Sequence, residues 1–252
     1  MFAEERRGAI LCRLGIDGRA QVAALAEELG VSEVTIRQDL AYLEERGLLR
    51  RTHGGAIPVE TGYEMSFEDM AGEKTEEKAR IAARAAALVH EGETILLDVG
   101  TTTTAVAKAL AGRRNLTIVT NALNIALILE GSPGITVIVT GGTLRAKQHS
   151  LVNPLAMDVL QRIRADRAIL GANGVESVAG VTNANFPEAE IKRVMANRAR
   201  EKILVADSGK IGRIAAAVVA PVTAFDRLIT GAEAVESEIG LLMAAGLQVD
   251  MV

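Results

Sequence analysis

The residues with the clearest binding chemistry come directly after a short apolar run at 95–97. Asp98 follows that run, and a glycine- and threonine-rich segment, 100–104, comes next. Glycine lets the backbone approach an anion, the first turn of a helix offers free N–H groups, and threonine hydroxyls add donors. We therefore predict that this segment cradles a phosphate group and leads into a helix that begins near Ala105.

Five further apolar runs also end in small polar residues. Because the carboxyl ends of parallel strands converge on one crevice of an open α/β sheet, these residues should lie together. There Asp98 and Asn121 would hold sugar hydroxyls and Lys210 would add a positive charge, which fits a small polyol phosphate. The competing interpretation is that glycine and threonine only form the turns between strands and helices. The residues predicted to bind the ligand are Asp98, Gly100, Thr101, Thr102, Thr103, Asn121, Gly141, Gly142, Asn173, Glu188 and Lys210.

Other candidate residues carry weaker signals. Glu188 follows Pro187 at the start of a predicted helix, where an acid either stabilises the helix dipole or faces the ligand. His90 and His149 have no histidine one helical turn away, so we expect no metal site, and we expect no cofactor. The single cysteine, Cys12, excludes an internal disulfide and is expected to be a small buried residue of a protein in a reducing cytoplasm.

The elements that must position the ligand-binding residues follow from the alternation of apolar runs and helical segments. Continuous apolar runs separated by helices predict an α/β fold with a Rossmann-like, mostly parallel sheet that is covered on both faces. This ligand-sensing domain should occupy 74–252 and begin with a helix at 75–90. The predicted strands are 95–97, 116–119, 135–139, 168–170, 203–205 and 228–229.

The first 58 residues have a different, helical periodicity. Apolar residues recur at helical spacing up to Gly30, and Ser32 can cap a third helix that continues to Arg46. Two short strands around a tight turn, 48–57, complete a winged helix-turn-helix pattern. The predicted boundaries are a winged helix-turn-helix domain at 3–58, its helix-turn-helix at about 20–39, and a linker at 59–73.

The charge distribution restricts how this front domain can bind DNA. A formal net charge of −4 excludes nucleic-acid binding by bulk charge, so any DNA contacts must be local. On the third helix, Arg37 can read guanine, Gln38 adenine and Val34 a thymine methyl, while the hairpin arginines would flank phosphates. A small helical domain for protein contacts is the competing interpretation. The residues predicted to bind DNA are Ser32, Val34, Thr35, Arg37, Gln38, Arg46, Arg50, Arg51 and His53.

Composition excludes two further classes of protein. Aromatic residues make up only 2% of the chain, which disfavours recognition by stacking on bases or sugar rings. The longest apolar run, 214–220, is far shorter than the about 18 residues of a membrane span, and the first residues lack the apolar segment of a signal peptide. We therefore expect a cytoplasmic protein with no membrane partner.

Several segments together resemble the DeoR family of bacterial transcriptional regulators. In the front half the resemblance rests on Glu-Arg-Arg at 5–7, on Val-Ser-Glu-Val-Thr-Ile-Arg-Gln-Asp-Leu at 31–40, on Leu43-Glu44 and on Gly-Leu-Leu-Arg-Arg-Thr-His-Gly-Gly-Ala at 47–56. In the second half the segments that resemble the family's sensor domain are 98–103, 119–121, 140–142 and 207–210. The similarity covers nearly the whole chain, and its two halves occur in the family's order.

The resemblance implies a repressor of a sugar-catabolic operon. Such a protein would bind double-stranded operator DNA as a homo-oligomer, a dimer or tetramer, and release it on binding a phosphorylated sugar or polyol. The resemblance also implies that the sensor domain has the fold of sugar-phosphate isomerases and CoA-transferases. The chain departs from the family's pattern with Gln38 after Arg37 where two arginines are commoner, with Asn153 in place of glycine, and with Gly209 in place of a second serine.

Two hypotheses from different classes follow. The first is a ligand-responsive DNA-binding regulator without enzymatic activity. The second is an active sugar-phosphate isomerase with an appended helical domain. An isomerase needs a positioned carboxylate base, for which Asp98, Glu188 and Asp207 are the candidates.

Overall fold

The computed structural model describes residues 3, 6, 7, 9, 10, 13, 14, 20–45, 49–52, 54–57 and 66–252. The chain divides into two compact units, Met1–Glu64 and Met65–Val252, which we call the head and the sensor unit. The predictions that concern Cys12, Arg46 and His53 lie outside the described residues, as does the part of the predicted linker at 59–65.

The head contains the helix-turn-helix elements that the sequence predicts. Its first helix of defined bounds ends at Gly30, whose left-handed conformation, with φ of 65°, closes the last turn. The next helix begins behind Ser32, whose Oγ accepts a hydrogen bond of 3.2 Å from the Thr35 N–H. The elements of the head are β1 (Ala20–Gln21), α1 (Val22–Leu29), α2 (Glu33–Glu45), β2 (Arg50–Thr52) and β3 (Gly55–Ile57).

A small sheet closes the head, and one of its strands is not predicted from the sequence. The strands run in the order β1-β3-β2, with both pairs antiparallel. Gly55 allows β1 and β3 to approach closely, because a Cβ at this position would lie 1.9 Å from the Ala20 carbonyl oxygen. The residues that form the core of the head are Ile10, Leu14, Ala20, Val22, Leu25, Ile36, Leu40, Leu43, Leu49 and Ala56.

The sensor unit is built on a seven-stranded sheet in which every neighbouring pair is parallel. Each of the six predicted strands is present, and a seventh, at the edge, was not predicted. The predicted Rossmann-like α/β fold is thereby confirmed. In spatial order the strands are β15 (Gln248–Met251), β14 (Arg227–Thr230), β12 (Ala199–Val205), β9 (Ala165–Gly171), β4 (Thr94–Leu97), β5 (Leu116–Thr120) and β6 (Ile135–Val139).

Helices cover both faces of this sheet. On one face, α4, α5 and α6 pack over a core that includes Ile95, Leu97 and Ile118. On the other face, α7, α8 and α9 pack over a core that includes Leu96, Val119 and Leu204. The helices are α3 (Phe67–Ala71), α4 (Thr75–Ala87), α5 (Thr101–Leu110), α6 (Leu123–Glu130), α7 (Leu155–Gln161), α8 (Phe186–Arg198) and α9 (Glu236–Ala244).

Two boundaries differ from the sequence predictions. The linker predicted at 59–73 contains α3, which belongs to the sensor unit and packs against α5. Sequence reasoning missed α3 because five residues are too few to show a helical period. Helix α5 begins at Thr101 rather than near Ala105, since the threonine hydroxyls at 103 and 104 bond back to the Gly100 carbonyl and close the first turn.

Two small antiparallel sheets follow strands of the large sheet and begin at its carboxyl edge. One consists of the strands β7 and β8 with the 3-10 turn Ala146–Gln148 between them, and it follows β6. The other has the order β10-β11-β13, and its first strand follows β9. Their bounds are β7 (Thr143–Arg145), β8 (Ser150–Val152), β10 (Gly174–Glu176), β11 (Gly180–Asn183) and β13 (Ala217–Ala220).

The strand order of the large sheet changes direction between β4 and β9. Along the chain, the sheet grows from β4 through β5 to β6 in one direction, and from β9 through β12, β14 and β15 in the other. The order therefore reverses between β4 and β9, and open α/β sheets bind ligands at the carboxyl ends of the strands on either side of such a point. The residues after β4 and at the end of β9 are thus the expected ligand-binding positions.

The close approach at Gly55 gives a test of the head's packing. We expect Gly55→Ala to destabilise the head by about 1–3 kcal/mol, because the added methyl group meets the Ala20 backbone. Gly54→Ala is the matched control, since a Cβ there has nothing within 4 Å. Urea unfolding of the full chain followed by circular dichroism would measure both, and equal stability of the two variants would contradict the prediction.

Candidate ligand site and DNA-reading surface

Three polar residues stand side by side at the carboxyl edge of the sheet. Leu97 pairs with Thr120, and Thr120 pairs with Val139, so that the next residues, Asp98, Asn121 and Thr140, are neighbours on adjacent strands. Asp98 and Asn121 have no exposed surface, and Thr140 is almost fully buried. Asp98 and Asn121 therefore lie close together in the structure, as the sequence predicts.

Asp98 is the most completely buried carboxylate of this edge. Its Oδ2 accepts hydrogen bonds from the Gly171 N–H, at 3.2 Å, and from the Lys192 ammonium, which is also its ion-pair partner. Its Oδ1 has no hydrogen-bond partner among the described residues. Burial raises the pKa of Asp98, and the Lys192 ammonium and the Gly171 N–H act against that rise.

The N-terminal turns of α8 bring a second carboxylate to the same place. Asn185 caps this helix by accepting a hydrogen bond of 3.0 Å from the Glu188 N–H. Glu188 and Lys192, four residues apart, lie on one face of the helix. Glu188 thus occupies the first turn, as the helix-dipole interpretation requires, while its buried side chain also faces the carboxyl edge of the sheet.

Hydrogen bonds to Glu188 fasten the β7–β8 hairpin to this helix. Its Oε1 accepts from the Ser150 hydroxyl at 2.6 Å and from the Arg145 guanidinium at 2.5 Å. Burial tends to raise the pKa of Glu188, but Lys192, the Ser150 hydroxyl and Arg145 together hold it below its ordinary value. We refer to Asp98, Asn121, Ser150, Glu188 and Lys192, with Arg145, as the buried polar cluster.

Asn121 joins the cluster through β8. Its side-chain Nδ2 donates to the Leu151 carbonyl at 3.3 Å, and its backbone carbonyl accepts from the Leu151 N–H at 2.7 Å. The side-chain Oδ1 of Asn121 is buried and, like Oδ1 of Asp98, is without a hydrogen-bond partner in the described part of the chain. The cluster therefore presents two unsatisfied acceptors.

The predicted phosphate segment forms the start of α5. In this part of the structure, the N–H groups of Thr101, Thr102 and Thr103 and the hydroxyls of Thr101 and Thr102 have no hydrogen-bond partner among the described residues. The Thr103 hydroxyl differs, because it donates to the Gly100 carbonyl at 2.9 Å and its side chain is fully buried. Thr103 can therefore offer a ligand its backbone N–H, whereas its hydroxyl proton serves the helix cap.

The structure gives three of the other predicted residues a backbone conformation or a hydrogen bond of their own. Gly142 has φ of 117°, and a Cβ there would lie 2.2 Å from the Val152 carbonyl oxygen, so this glycine is required by the backbone approach. Gly141 precedes it with φ of 70°. The Asn173 Oδ1 accepts from the Ala184 N–H at 2.8 Å and braces the chain before α8.

A second charged group lies beside the carboxyl end of β12. The Lys74 ammonium donates to the Ser208 hydroxyl at 2.5 Å, and the Glu77 carboxylate accepts from the Ser208 N–H. Lys78 is buried, and its ammonium donates to the Met70 carbonyl at 2.8 Å. Burial lowers the pKa of Lys78, Asp207 opposes this effect and Lys210 adds to it.

Lys210, predicted to add positive charge, belongs to this group. It ends the 3-10 turn Ser208–Lys210, and the described residues give its ammonium neither a hydrogen bond nor an ion pair. We refer to Lys74, Lys78 and Lys210 as the lysine group. The two acids beside it, Glu77 and Asp207, leave the group with one excess positive charge.

Sequence reasoning missed Lys192 and Lys78, although each leaves a signal. Lys78 stands three residues before the buried Ile81, and Lys192 stands three residues before the buried Met195. A charged residue in the apolar stripe of a helix is rarely buried without a partner. That signal shows that a partner is needed but does not identify it.

The head presents the predicted face of α2 to solvent. Val34 is 61% exposed, and Arg37 and Gln38 are exposed beside it. Arg37 forms an ion pair of 2.5 Å with Glu33 one turn earlier, and the Ser32 hydroxyl lies 2.9 Å from that of Thr35. The predicted base-reading residues of α2 thus share one surface.

The strand β2 adds two arginines to the exposed surface of the head. Arg50 and Arg51 are both exposed, and the Arg51 N–H donates to Glu44 at 2.8 Å, which ties β2 to α2. In addition, the buried Asp39 accepts hydrogen bonds from Arg6 and Arg7, at 2.5 and 2.8 Å. Sequence reasoning missed this pairing, which fixes α2 against the helical residues that precede it.

Two features are absent from the described part of the chain. It contains no helix that is both long enough and apolar enough to cross a membrane. It also contains no group of three histidine, cysteine or acidic side chains that could hold a metal ion.

Comparison with known proteins identifies the family of both units. The family model described as the DeoR C terminal sensor domain matches residues 73–232, which is more than half of the chain. The model described as the DeoR-like helix-turn-helix domain matches residues 6–61.

Individual proteins agree with these matches. The HTH-type transcriptional regulator GolR of Listeria innocua is 36% identical over 231 residues, which is 91% of each chain. The glycerol-3-phosphate regulon repressor of Escherichia coli is 32% identical over 251 residues and is covered, like this chain, over its full length. A solved structure of the probable sor operon regulator of Shigella flexneri matches 71% of this chain and 91% of its own, with 16% identity and a TM-score of 0.42. The family matches and the identity over the full length show that this chain belongs to the DeoR family of transcriptional regulators.

Proposed function

We propose that this DeoR-family regulator is a cytoplasmic repressor of a carbohydrate-catabolism operon, released from its operator by a phosphorylated sugar or polyol. One observation carries the ligand part of the proposal. Asp98, whose buried Oδ1 has no partner in the described chain, stands three residues before Thr101, the first residue of α5, and the first N–H groups of this helix also lack partners there. An acceptor and an anion site therefore stand next to each other at the point where the strand order reverses.

The phosphate end of the ligand would bind at the start of α5. The N–H groups of Thr101, Thr102 and Thr103 and the hydroxyls of Thr101 and Thr102 are available as donors. The positive end of the helix dipole favours an anion there. Lys210, with its unpaired ammonium among the described residues, would add charge to the same edge of the sheet.

The sugar end would bind against the buried polar cluster. Asp98 Oδ1 and Asn121 Oδ1 are acceptors, so they need donors, and the hydroxyl groups of a sugar or polyol supply them. A buried acceptor without a partner costs about 1–3 kcal/mol, so satisfying both on binding favours a ligand with two suitably placed hydroxyls. The name of the glycerol-3-phosphate regulon repressor, a relative of this chain, supports the same class of ligand.

The isomerase hypothesis has less support. Glu188 binds Ser150 and Arg145, and Asp207 accepts from the Gly209 N–H at 3.1 Å, so neither carboxylate is a free base. The third candidate, Asp98, has its Oδ2 paired with Lys192. The curated relatives are transcriptional regulators, and we propose that this chain likewise has no catalytic role.

For the DNA-reading head, we propose that α2 enters the major groove. Val34, Arg37 and Gln38 would contact base edges, while Ser32, Thr35, Arg50 and Arg51 would contact the phosphate backbone. All of these residues except the half-buried Thr35 are exposed, and the described residues give Gln38 and Arg50 no competing partner, which supports this assignment.

Removing one hydroxyl at the start of α5 should weaken ligand binding. We expect Thr102→Val to raise the concentration of phosphorylated sugar needed for operator release by tenfold or more, since a hydrogen bond to a charged group contributes about 1.5–3 kcal/mol. Operator affinity without ligand should stay unchanged. The ligand is first found by thermal-shift screening of sugar and polyol phosphates, and gel-shift titration on the protein's own promoter DNA then compares the variants.

The control for this experiment is Thr136→Val, the same substitution at an exposed position of the edge strand β6. It should behave like the original protein. An unchanged release curve for Thr102→Val would refute the assignment of the phosphate to α5.

Two arginines of the head should make different kinds of contact with DNA. We expect Arg37→Ala to cost about 1–3 kcal/mol of binding to the specific operator and little on unrelated DNA, because a base contact carries the specificity. Arg50→Ala should weaken binding to every sequence and lower the salt slope by about 1, because a phosphate contact releases counterions. Fluorescence anisotropy over a range of salt concentrations measures both quantities.

The exposed Arg164 of the sensor unit supplies the control for charge. Arg164→Ala should bind operator and unrelated DNA as the original protein does. If Arg37→Ala weakens both kinds of DNA equally, then Arg37 does not read a base.

We also expect the protein to be a homo-oligomer, a dimer or tetramer, because paired heads can contact two operator half-sites about one helical turn apart. Size-exclusion chromatography with light scattering measures the mass of the free protein. A monomer that remains monomeric on operator DNA would contradict this expectation.

A further inference from the structure

The short helix α3 occupies a special place in the chain. It is the first described element of the sensor unit, and only residues 58–66 separate it from the last strand of the head. A helix of five residues is not stable alone, since forming the first turn is unfavourable. Its position therefore depends on its contacts with the rest of the sensor unit.

One contact joins α3 to the lysine group. The buried ammonium of Lys78 donates to the Met70 carbonyl at 2.8 Å, in the last turn of α3. Met70 O is the only acceptor that the described residues give to this ammonium, which has three protons to donate. Lys78 lies in the first turns of α4, one residue after Glu77, which binds Ser208 behind β12.

A second contact joins α3 to the hairpin above the buried polar cluster. His149 Nε2 lies 2.7 Å from Glu68 Oε1, and the rings of Phe67 and His149 meet edge to face with 5.3 Å between their centroids. The next residue, Ser150, donates to Glu188 inside the cluster. Both contacts of α3 thus end on elements that border the proposed ligand site.

The helix α3 also packs against α5, whose first turn is the proposed phosphate segment. Helices α4 and α5 are packed against each other on the same face of the sheet, and both begin at its carboxyl edge. A phosphate at the start of α5 would therefore come close to the lysine group, and Lys78 is its buried member.

We propose that Lys78 exchanges the Met70 carbonyl for the ligand's phosphate. The resulting release of α3 would transmit ligand binding in the sensor unit to the head. This inference rests on the proposed function. An oxygen of a doubly charged phosphate group is a stronger acceptor for an ammonium than a neutral carbonyl oxygen is. A ligand shifts an equilibrium only by its preference for one state, and here that preference arises because binding the phosphate moves the ammonium away from the Met70 carbonyl.

Hydrogen exchange of the full chain, with glycerol 3-phosphate and inorganic phosphate as probes, tests the exchange of partners directly. We expect the amides at 101–104 to exchange more slowly with probe and those at 67–71 to exchange faster. Protection of 101–104 without faster exchange at 67–71 would overturn the release of α3 and leave the proposed function standing. No change at 101–104 with these probes or with any phosphate of the screening panel would overturn the proposed function and this inference together.

Two substitutions separate the roles of the contacts. Lys78→Met keeps the aliphatic stem and should weaken probe binding by at least tenfold, while α3 exchanges quickly even without probe. Glu68→Ala removes the Glu68–His149 part of the second contact at an exposed residue that does not reach the anion site, so the fold should survive. We expect this variant to bind the probe several-fold more tightly, because less must be broken to free α3, and to hold operator DNA less tightly without probe.

Glu76→Ala is the matched control, since Glu76 is an exposed acid near α3 with no partner among the described residues. It should behave like the original protein. If Glu68→Ala and Glu76→Ala have the same probe affinity and the same operator affinity, α3 does not couple ligand binding to operator binding, and the inference is wrong.

Discussion

The buried ion pair between Asp98 and Lys192 is the interaction on which the geometry of the sensor unit depends. Removing two charges from water costs several kcal/mol per ion unless they meet each other in good geometry. Lys192 must therefore face the end of β4, which fixes both the rotation and the height of α8. One turn earlier on that helix, Glu188 accepts hydrogen bonds from Ser150 and Arg145 and fastens the β7–β8 hairpin to α8. If one partner were removed, the other would remain as an unpaired buried charge, which typically costs about 3–5 kcal/mol.

The head uses the same device on a smaller scale. Asp39 is almost fully buried on α2, and its two carboxylate oxygens accept from Arg6 and Arg7. Arg7 also lies over the ring of Tyr42, with 3.6 Å to the ring centroid. Asp39 lies on the inner side of α2, whereas Arg37 lies on the opposite side, and both Arg37 and Gln38 are exposed to solvent. In both units a buried carboxylate helps to orient a helix that carries residues proposed for recognition.

The extent to which the structure follows from the sequence depends on the kind of signal. Local sequence signals were enough to predict the helix end at Gly30, the helix cap at Ser32 and six strands that are continuous apolar runs. They failed for β15, because Gln248–Met251 alternates polar and apolar residues at an edge and is too short to separate from a loop. They also failed for the buried charges, since a lysine in an apolar stripe demands a partner, but only the fold brings Asp98 to Lys192 across 94 positions.

The two faces of the sheet divide the chemistry of the proposed site. The residues of the buried polar cluster have balanced charge, with Asp98 and Glu188 against Lys192 and Arg145, so this side offers acceptors and no net attraction for an anion. Asp98 shares its face of the sheet with Leu96 and α8, whereas α4 and α5, with the lysine group and the free N–H groups, pack against the face of Ile95 and Leu97. A ligand that satisfies both sides must therefore reach across the edge of the sheet, with an anion at one end and hydroxyls at the other. The phosphorylated sugar or polyol that we propose as the ligand carries both kinds of group, whereas inorganic phosphate or a neutral sugar carries only one.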